Sequence, residues 1–222
     1  MTTPEPRTTV AIFDLDGTIT FTDTYVGFLF AYLRHRPQRA FRAYWLPFAV
    51  LLHWSGFRDN TWLKTAFLTA IAAGESRDIV QKIAAKFCQT VASKKLRPAA
   101  LNAIKRHREQ GHKLVLATAS LDIYSEIIGE ALGFDTVLST KVLWNEEGRL
   151  TGQLDGPNCY GKAKRIAVEK HLSDRESLHV ISYSDHISDL PLLDWSDRGI
   201  FVGPEDSLRR KFGRTPHEHL IW

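Results

Sequence analysis

The sequence predicts an α/β fold in which an all-helical segment is inserted into a doubly wound parallel sheet. Short apolar runs bounded by turn-forming residues recur along the chain, which is typical of buried strands. Segments of helical length separate most of these runs, and this favours parallel strands joined by crossover helices. One long stretch between the first two runs has helical spacing and almost no strand signal, so we expect a separate helical unit there.

The helical unit follows the first strand, which we place at 10–13. From 24 to 87 aromatic residues and alanine recur at helical spacing, and the breaks in this pattern predict about four helices. We therefore predict a core domain of 1–22 and 93–222, and a helical cap of 23–92. The breaks fall at Pro37, at Ser55-Gly56 and at Gly74.

The rest of the core alternates between helices and strands. Pro98 opens a helix, because proline is favoured in a first helical turn, and Gly111 ends it. No element is predicted for 217–222, and the polar start at 1–9 is predicted to be a loose tail. The predicted elements are helices over 98–110, 121–132 and 162–172, strands over 113–120, 136–140, 178–182 and 199–202, and a hairpin over 141–154 that turns at 145–148.

The composition is that of a globular protein with a substantial core. Of the 222 residues, 44% are hydrophobic and 24% charged, and the net charge is +4. The basic residues form no long run, so nucleic acid is not an expected partner. Cys88 and Cys159 lie far apart and no signal peptide is evident, so we expect free thiols in the reducing cytoplasm.

The first strand runs directly into the sequence DLDGT. Asp14 and Asp16 point the same way if the extended geometry persists, and two like charges so close repel. A divalent cation removes this conflict, and Mg²⁺ is commonly held by one or two carboxylates with phosphate oxygens. Gly17 then allows a sharp turn, and Thr18 offers a hydroxyl and an N–H group to an anion. The alternative is an Asx turn or a helix N-cap.

Polar residues also end the second strand and begin a later helix. Thr118 ends the run VLAT, and open parallel sheets bind ligands at the carboxyl ends of strands, so Thr118 is a candidate phosphate ligand. Its alternative role is a helix N-cap, which Ser120 could fill instead. Lys162 and Lys164 begin a helix, where cations oppose the helix dipole, so an anion explains them better than the helix does. A solvated surface lysine is the alternative for each.

The third strand ends in SDHISD (184–189). Asp185 and Asp189 are four residues apart, so a helical turn would place both on one face. We expect Asp185 to complete the carboxylates around the metal, and Asp189 to hold a water ligand or the lysine. The alternative is an ordinary capped helix that ends before Pro191.

Together these motifs resemble those of the haloacid dehalogenase superfamily of phosphohydrolases. DLDGT, the threonine of LATAS, the lysine of GKAK and SDHISD correspond to the four motifs of that family in chain order. The resemblance implies a Rossmann-like core. The sequence separation between Asp14 and Thr118 is long enough for a helical cap after the first motif. This resembles the phosphoserine-phosphatase-like branch, subfamily IB, which has a C1-type cap at that place. CYGKAK matches the C-x-G-x-x-K pattern of this branch, which favours Lys164 over Lys162 as the functional lysine.

The resemblance implies a Mg²⁺-dependent phosphatase reaction in two steps. Asp14 is expected to attack phosphorus and form an aspartyl-phosphate, and Asp16 to protonate the leaving oxygen and then activate water. Mg²⁺, held by Asp14, the Asp16 backbone carbonyl and Asp185, would neutralise charge on the transferred group. Thr118 and Lys164 would hold the remaining phosphate oxygens. The other expected substrate contacts are Gly17, Thr18, Asp23, Ala119 and Ser120.

For the substrate, the resemblance favours a small phosphomonoester similar to phosphoserine. In phosphoserine phosphatases an acid shortly after the first motif binds the substrate amine, and Asp23 stands at that place here. The expected partner for a carboxylate is an arginine of the cap, and none is clearly placed. A lipid phosphate is the alternative, because 41–57 is unusually apolar, like the cap of a phosphatidylglycerophosphate phosphatase of the same branch.

The apolar stretch 41–57 is too short to span a bilayer, and packing in the core would also explain it. If 43–54 is one helix, however, its apolar side chains cover too much of the circumference to face one core. We therefore predict an exposed apolar patch that contacts an acyl chain or, peripherally, the inner face of the membrane. The side chains that cannot all face one core are Trp45, Leu46, Phe48, Val50, Leu51 and Trp54, so part of this set is expected to form the patch.

Two other classes of protein share some of these features. A phosphoacceptor signalling receiver also combines acids, a hydroxyl residue and a lysine on a doubly wound sheet. It would have its acid pair before the acceptor strand, and roughly half this length as a single domain. A non-catalytic binding protein would be expected to lack Asp14 or Asp16, and both are present.

Overall fold

The computed structural model describes residues 7–212 and 216–222, and these form the predicted α/β fold. Most of the predicted tail at 1–9 lies outside the described residues, and Thr8 and Thr9 belong to the first strand rather than to a tail. The strands are β1 (Thr8–Phe13), β2 (Lys113–Leu121), β3 (Thr136–Thr140), β4 (Val142–Trp144), β5 (Leu150–Leu154), β6 (Leu178–Ser184), β7 (Arg198–Gly203) and β8 (Glu218–Ile221).

Six of the strands form one parallel sheet in the order β3-β2-β1-β6-β7-β8, while β4 and β5 pair as a separate antiparallel hairpin. Val10 and Ile12 of β1 pack in one apolar cluster, and Ala11 and Phe13 pack in another. Both faces of the sheet are therefore covered, as expected for parallel strands. Because β1 lies between β2 and β6, the carboxyl ends of these three strands are neighbours at one edge of the sheet.

Helices occupy the long connection between β1 and β2, as predicted. A 3₁₀ segment over Pro37–Ala43 lies between the first two helices. The predicted helix over 43–54 begins only at Leu46, because Pro47 is tolerated in a first helical turn but not in a helix interior. The α-helices are α1 (Thr24–His35), α2 (Leu46–Trp54), α3 (Asn60–Ala72), α4 (Arg77–Lys94), α5 (Pro98–Glu109), α6 (Asp122–Ala131), α7 (Lys162–His171), α8 (Leu190–Trp195) and α9 (Glu205–Phe212).

The chain enters and leaves the helical unit α1–α4 along two adjacent segments. Thr20 and Leu96 form an isolated antiparallel bridge, and the Phe21 N–H group donates to the Lys95 carbonyl at 2.9 Å. Helix α4 ends at Lys94, two residues beyond the predicted cap boundary at 92. This crossing supports the predicted division into core and cap, which stays a prediction.

The hairpin β4–β5 docks against the helical unit. The Leu150 N–H group donates to the Glu75 carbonyl at 2.9 Å, and the Thr69 hydroxyl donates to the Gly152 carbonyl at 3.1 Å. Gly152 has a φ of +86°, and a Cβ atom there would lie 2.6 Å from the Thr69 Cα atom, so only glycine allows this close approach. The hairpin therefore connects the helical unit to the sheet at a second place.

Strand β8 was not predicted, because its residues show no apolar run or alternation and its side chains are mostly exposed. It pairs with β7 at the edge of the sheet. The Trp222 ring that follows β8 stacks on Tyr183, with ring centroids 5.6 Å apart. Within 7–212 and 216–222, no helix combines the length and the apolar character needed to cross a bilayer.

Candidate active site

The carboxylates of Asp14 and Asp185 meet at the carboxyl ends of β1 and β6. The Thr18 hydroxyl lies 3.5 Å from Asp14 Oδ2 and 3.3 Å from Asp185 Oδ1, so a single hydroxyl lies between the two acids. Gly17 has a φ of +79°, and a Cβ atom there would lie 2.2 Å from Asp185 Oδ2. Glycine is therefore needed at position 17 both for the turn and for the approach of Asp185.

Lys164 forms the centre of a buried group of charges. Its Nζ atom lies 2.7 Å from Asp14 Oδ1 and 2.7 Å from Asp189 Oδ2, and its side chain is 3% exposed. Lys162, by contrast, is exposed, although both lysines lie in the first turn of α7. Because the α-helical repeat places residues two apart on different sides, the fold directs only Lys164 toward Asp14.

The pKa values of this buried pair shift for opposing reasons. Burial raises the pKa of Asp14, and Asp189 and Asp185 raise it further, while the ammonium of Lys164 lowers it. Burial by itself lowers the pKa of Lys164, but the carboxylates of Asp14 and Asp189 outweigh it, so the pKa of Lys164 is raised. The net pKa of Asp14 is raised, and the ammonium of Lys164 limits this rise, while the two carboxylates keep the lysine protonated.

Asp185 and Asp189 do not lie on one helical turn, so the predicted reason for their proximity is wrong. The chain turns after β6, a 3₁₀ segment covers Ile187–Asp189, and α8 begins only at Leu190. Asp189 Oδ2 accepts hydrogen bonds from Lys164 and from the Ser184 hydroxyl, both at 2.7 Å. Ser184 ends β6, so the strand itself fixes the position of Asp189.

Asp16 is held on the other side of Asp14 by a hydroxyl network. Its Oδ2 atom accepts a hydrogen bond from the Ser120 hydroxyl at 2.6 Å, and its Oδ1 atom accepts one from the Thr24 N–H group at 2.6 Å. Burial raises the pKa of Asp16 and Asp23 raises it further, while the Ser120 and Thr24 hydrogen bonds lower it. A raised pKa suits a carboxyl group that must carry a proton before it donates one.

Neither Thr118 nor Ser120 has the alternative role of a helix N-cap. Neither side chain caps α6, whose N-cap residue is Leu121 without a side-chain hydrogen bond. The Thr118 hydroxyl accepts a hydrogen bond from the Ser120 N–H group at 3.0 Å, and Thr118 is fully buried. Ala119 and Ser120 line a cavity beside the site, and Thr118 is not among its lining residues. Its predicted contact with phosphate stays a prediction.

Asp23 is the N-cap residue of α1. Its Oδ1 atom accepts a hydrogen bond from the Val26 N–H group at 2.8 Å, which satisfies one of the free donors of the first helical turn. The side chain also lines the cavity. The structure therefore gives Asp23 a local role that does not depend on a substrate, and its predicted contact with the substrate stays a prediction.

Lys64 is a site residue that sequence analysis missed. It lies in α3, is 7% exposed, and its Nζ atom donates to the Ala119 carbonyl and, at 3.0 Å, to Asn158 Oδ1. Burial lowers the pKa of Lys64 to about 8, although Asp16 and Asp23 act to raise it. Lys64 thus brings a second cation from the helical unit to the edge of the sheet.

A cavity of about 640 Å³ connects the charged groups with the helical unit. Its polar end contains Asp14, Asp16, Lys164 and Lys64, and Tyr160, His186 and Ser188 also line it. The opposite end is apolar and is formed by helices α1, α2 and α3. The apolar lining includes Val26, Leu29, Leu33, Leu46, Leu63 and Phe67.

The donor set fits Mg²⁺. Among the described His, Cys, Asp and Glu side chains, no group of three is arranged as a metal site by itself. Mg²⁺ commonly takes only one or two carboxylates together with water and phosphate oxygens, and Asp14 and Asp185 converge on Thr18. The buried Asp189 Oδ1 atom has no hydrogen-bond partner, so an acceptor for a metal-bound water is available.

Comparisons with known proteins identify the family. Residues 11–194 match the family of haloacid dehalogenase-like hydrolases. The chain is 30% identical over 185 residues to protein CicA of Caulobacter vibrioides, which covers 83% of this chain and 82% of that protein. It is 28% identical over 216 residues to a probable phosphatase of Mycobacterium tuberculosis, covering 95% and 74% of the two chains.

The fold is also similar to a solved structure of phosphoserine phosphatase, described as an analogue of its phospho-aspartyl intermediate. The TM-score is 0.63 at 16% identity, and the match covers 88% of this chain and 87% of the other. At this identity the likeness shows the shared fold. With the family match over 11–194 and the motifs at the ends of β1, β2 and β6, this chain belongs to the haloacid dehalogenase-like hydrolase family.

Proposed function

We propose that the protein is a Mg²⁺-dependent phosphatase that hydrolyses a phosphomonoester through an aspartyl-phosphate on Asp14. One observation carries the proposal: Lys164 joins Asp14 and Asp189 in a buried ion-pair triad beside a second carboxyl group, Asp16. The relative that is a probable phosphatase supports the same activity. The raised pKa of Asp16 supports its role as the acid, and the ion pair of Asp14 supports its role as the nucleophile.

The proposed reaction has two displacements at phosphorus. In the first, an oxygen of Asp14 forms a bond to phosphorus, the ester P–O bond breaks, and Asp16 gives its proton to the leaving oxygen. In the second, Asp16 takes a proton from water, the resulting oxygen nucleophile attacks phosphorus, and the bond to Asp14 breaks. Lys164 balances negative charge on the phosphoryl oxygens in both steps. Mg²⁺, held by Asp14, the Asp16 backbone carbonyl and Asp185, would supply further positive charge for these oxygens.

A generic aryl phosphate tests the activity and the metal together. Turnover is expected with Mg²⁺, loss with EDTA, and recovery when Mg²⁺ is added back, while Asp185→Ala is expected to raise the Mg²⁺ requirement or remove activity. Asp14→Asn should lose activity by roughly three orders of magnitude or more. Metal-independent turnover, or an active Asp14→Asn variant, would contradict the proposal.

The substrate class that we favour from the sequence is a small phosphorylated metabolite similar to phosphoserine. Asp23 lies at the cavity with a carboxylate that could bind an amine, and Lys64 supplies a cation that could bind a carboxylate. These two residues support an amino-acid phosphate as substrate. The similarity of the fold to phosphoserine phosphatase is in keeping with this class.

A second candidate is a phosphate ester with an apolar group, such as a lipid phosphate. The apolar lining of the cavity, which comes from α1, α2 and α3, favours it, because a small charged metabolite would leave these side chains without an apolar group to contact. A panel that compares phosphoserine with a lysophosphatidic acid separates the two candidates. A higher kcat/KM for phosphoserine supports the first candidate, and a higher kcat/KM for the lipid supports the second.

A further inference from the structure

Large apolar side chains, most of them aromatic, are exposed along 41–57 of the helical unit. We define the cap face as Phe41, Tyr44, Phe48, Leu51, Trp54 and Phe57. Each of these side chains is between 58% and 85% exposed. Soluble proteins rarely expose so many large apolar side chains within one short segment, which indicates that the cap face binds another molecule or a membrane.

The geometry of the segment explains why these side chains point outward. In α2, Phe48, Leu51 and Trp54 follow each other at intervals of three, which places them on one side of the helix. The opposite side carries Leu46 and His53, which line the cavity. Helix α2 is thus apolar on both sides, and only one of them is used within the chain.

The charge around the cap face is positive. The stretch 24–58 contains five arginines and no aspartate or glutamate. Two of the arginines, Arg36 and Arg39, form ion pairs with Glu75. The other three, Arg34, Arg42 and Arg58, are exposed and have no acidic partner among the ion pairs of the described residues.

We infer that the cap face docks on the surface of an anionic lipid bilayer. Aromatic side chains enter the boundary between head groups and acyl chains, and arginines at the margin pair with anionic head groups. This combination distinguishes a bilayer from a second copy of the chain, whose own cap face would bring the same positive charge to the contact. The inference concerns binding, so it does not depend on the proposed phosphatase activity.

Vesicle sedimentation with the full chain tests the inference. Vesicles of phosphatidylcholine containing phosphatidylglycerol are expected to bind the protein at least about tenfold more tightly than phosphatidylcholine alone. Phe48→Ser/Trp54→Ser should weaken that binding about tenfold or more, because apolar area is lost from the cap face. Arg34→Gln/Arg58→Gln should reduce the preference for phosphatidylglycerol.

The matched control is Ile166→Ser/Ile221→Ser, which removes two exposed apolar side chains outside the helical unit. Its binding should equal that of the wild type. An equal loss in this control, or no binding of the wild type to phosphatidylglycerol vesicles, would overturn the inference. A dimer that forms with concentration and that Phe48→Ser/Trp54→Ser abolishes would also overturn it, since a second copy would then occupy the cap face.

A second measurement needs no variant. Tryptophan fluorescence of the wild type should be quenched by lipids brominated near the head group, because Trp54 is 80% exposed on the cap face. Absence of quenching at lipid concentrations that sediment the protein would show that another surface binds the vesicles, and would overturn the assignment to the cap face.

Discussion

At the scale of single residues, the central fact is that Lys164 has two carboxylate partners at equal distance. Asp14 and Asp189 both lie 2.7 Å from its ammonium group in a nearly solvent-free environment. A buried ion pair from which one partner is removed leaves an uncompensated charge, which is costly. Changes at this triad therefore affect stability as well as activity, and the experiments need controls for folding.

The first prediction separates the two lysines of α7. Lys164→Ala should lower kcat/KM by about two orders of magnitude or more, because it removes the cation that we propose to face the transferred phosphoryl group. Lys162→Ala is the matched control, since Lys162 is exposed in the same helical turn, and its kcat/KM should change little. Steady-state kinetics with an aryl phosphate measures both. A larger effect at Lys162 would show that the wrong lysine was assigned.

The second prediction concerns Lys64, whose pKa burial lowers to about 8. Above that pH its ammonium loses a proton, so kcat/KM of the wild type should fall on the alkaline side. Lys64→Met should lower kcat/KM about tenfold and remove this alkaline limb. In Lys64→Arg the guanidinium stays charged, so the alkaline decrease in kcat/KM should move to higher pH. Lys82→Met, at an exposed lysine of α4, is the control and should keep the wild-type profile.

At the scale of elements, most helices and strands could be predicted because their apolar periodicity survives in the fold. The strand at 113–120 and the hairpin at 141–154 are examples, with boundaries within two residues of those observed. Strand β8 could not be predicted, since edge pairing with β7 rather than burial holds it in place. Lys64 could not be predicted either: a lysine in an amphipathic helix is usually solvated, and only the packing of α3 over the edge of the sheet buries it.

The third prediction concerns the effect on stability of substituting two N-cap residues of the helical unit. Asp23 caps α1 and Asp59 caps α3, each through an acceptor oxygen to a first-turn N–H group. Asn caps about as well as Asp, so Asp23→Asn and Asp59→Asn should both keep the wild-type urea midpoint, while Asp23→Ala should lose about 1 kcal/mol.

The activity of the same variants tests the role of Asp23 in binding an amine. If Asp23 binds the amine of phosphoserine, Asp23→Asn should raise KM for phosphoserine about tenfold and leave the aryl phosphate unaffected. Asp59→Asn should change neither KM. An unchanged KM for phosphoserine in Asp23→Asn would contradict amine binding by Asp23, and the side chain would then serve only to cap α1.

At the scale of the whole molecule, the sheet is stabilised by an aromatic cluster around His107. Its Nε2 atom lies 2.9 Å from the Tyr183 hydroxyl, and the Phe13 ring stacks on Tyr183 with centroids 4.5 Å apart. Burial lowers the pKa of His107 from 6.5 to about 4, and the neighbouring His112 lowers it further. Between these pH values the unfolded chain binds a proton at this position and the folded chain does not.

The fourth prediction follows from that difference. The contribution of His107 to the free energy of unfolding should be complete above pH 6.5 and should fall as the pH decreases toward 4. Asp14 and Asp122 have raised pKa values, so their contributions to the free energy of unfolding increase as the pH decreases, opposite to that of His107. The pH dependence of wild-type stability therefore does not isolate His107. Urea midpoints from pH 7 to 5 should fall less steeply in His107→Gln than in the wild type. The exposed His171→Gln is the control and should keep the wild-type slope.

The central position of β1 has a consequence for synthesis on the ribosome. Thr8 of β1 pairs with Leu178 of β6, and Val10 pairs with Lys113 of β2. Both neighbouring strands of β1 are therefore translated long after β1 itself. An apolar strand with two open edges is prone to pair with other chains. Helices α1–α4 emerge in the meantime and can fold locally, whereas Asp14 reaches Lys164 and Asp185 only when nearly the whole sheet has formed. The nascent chain is thus expected to need chaperone protection during this interval, and the candidate active site is expected to be among the last parts to form.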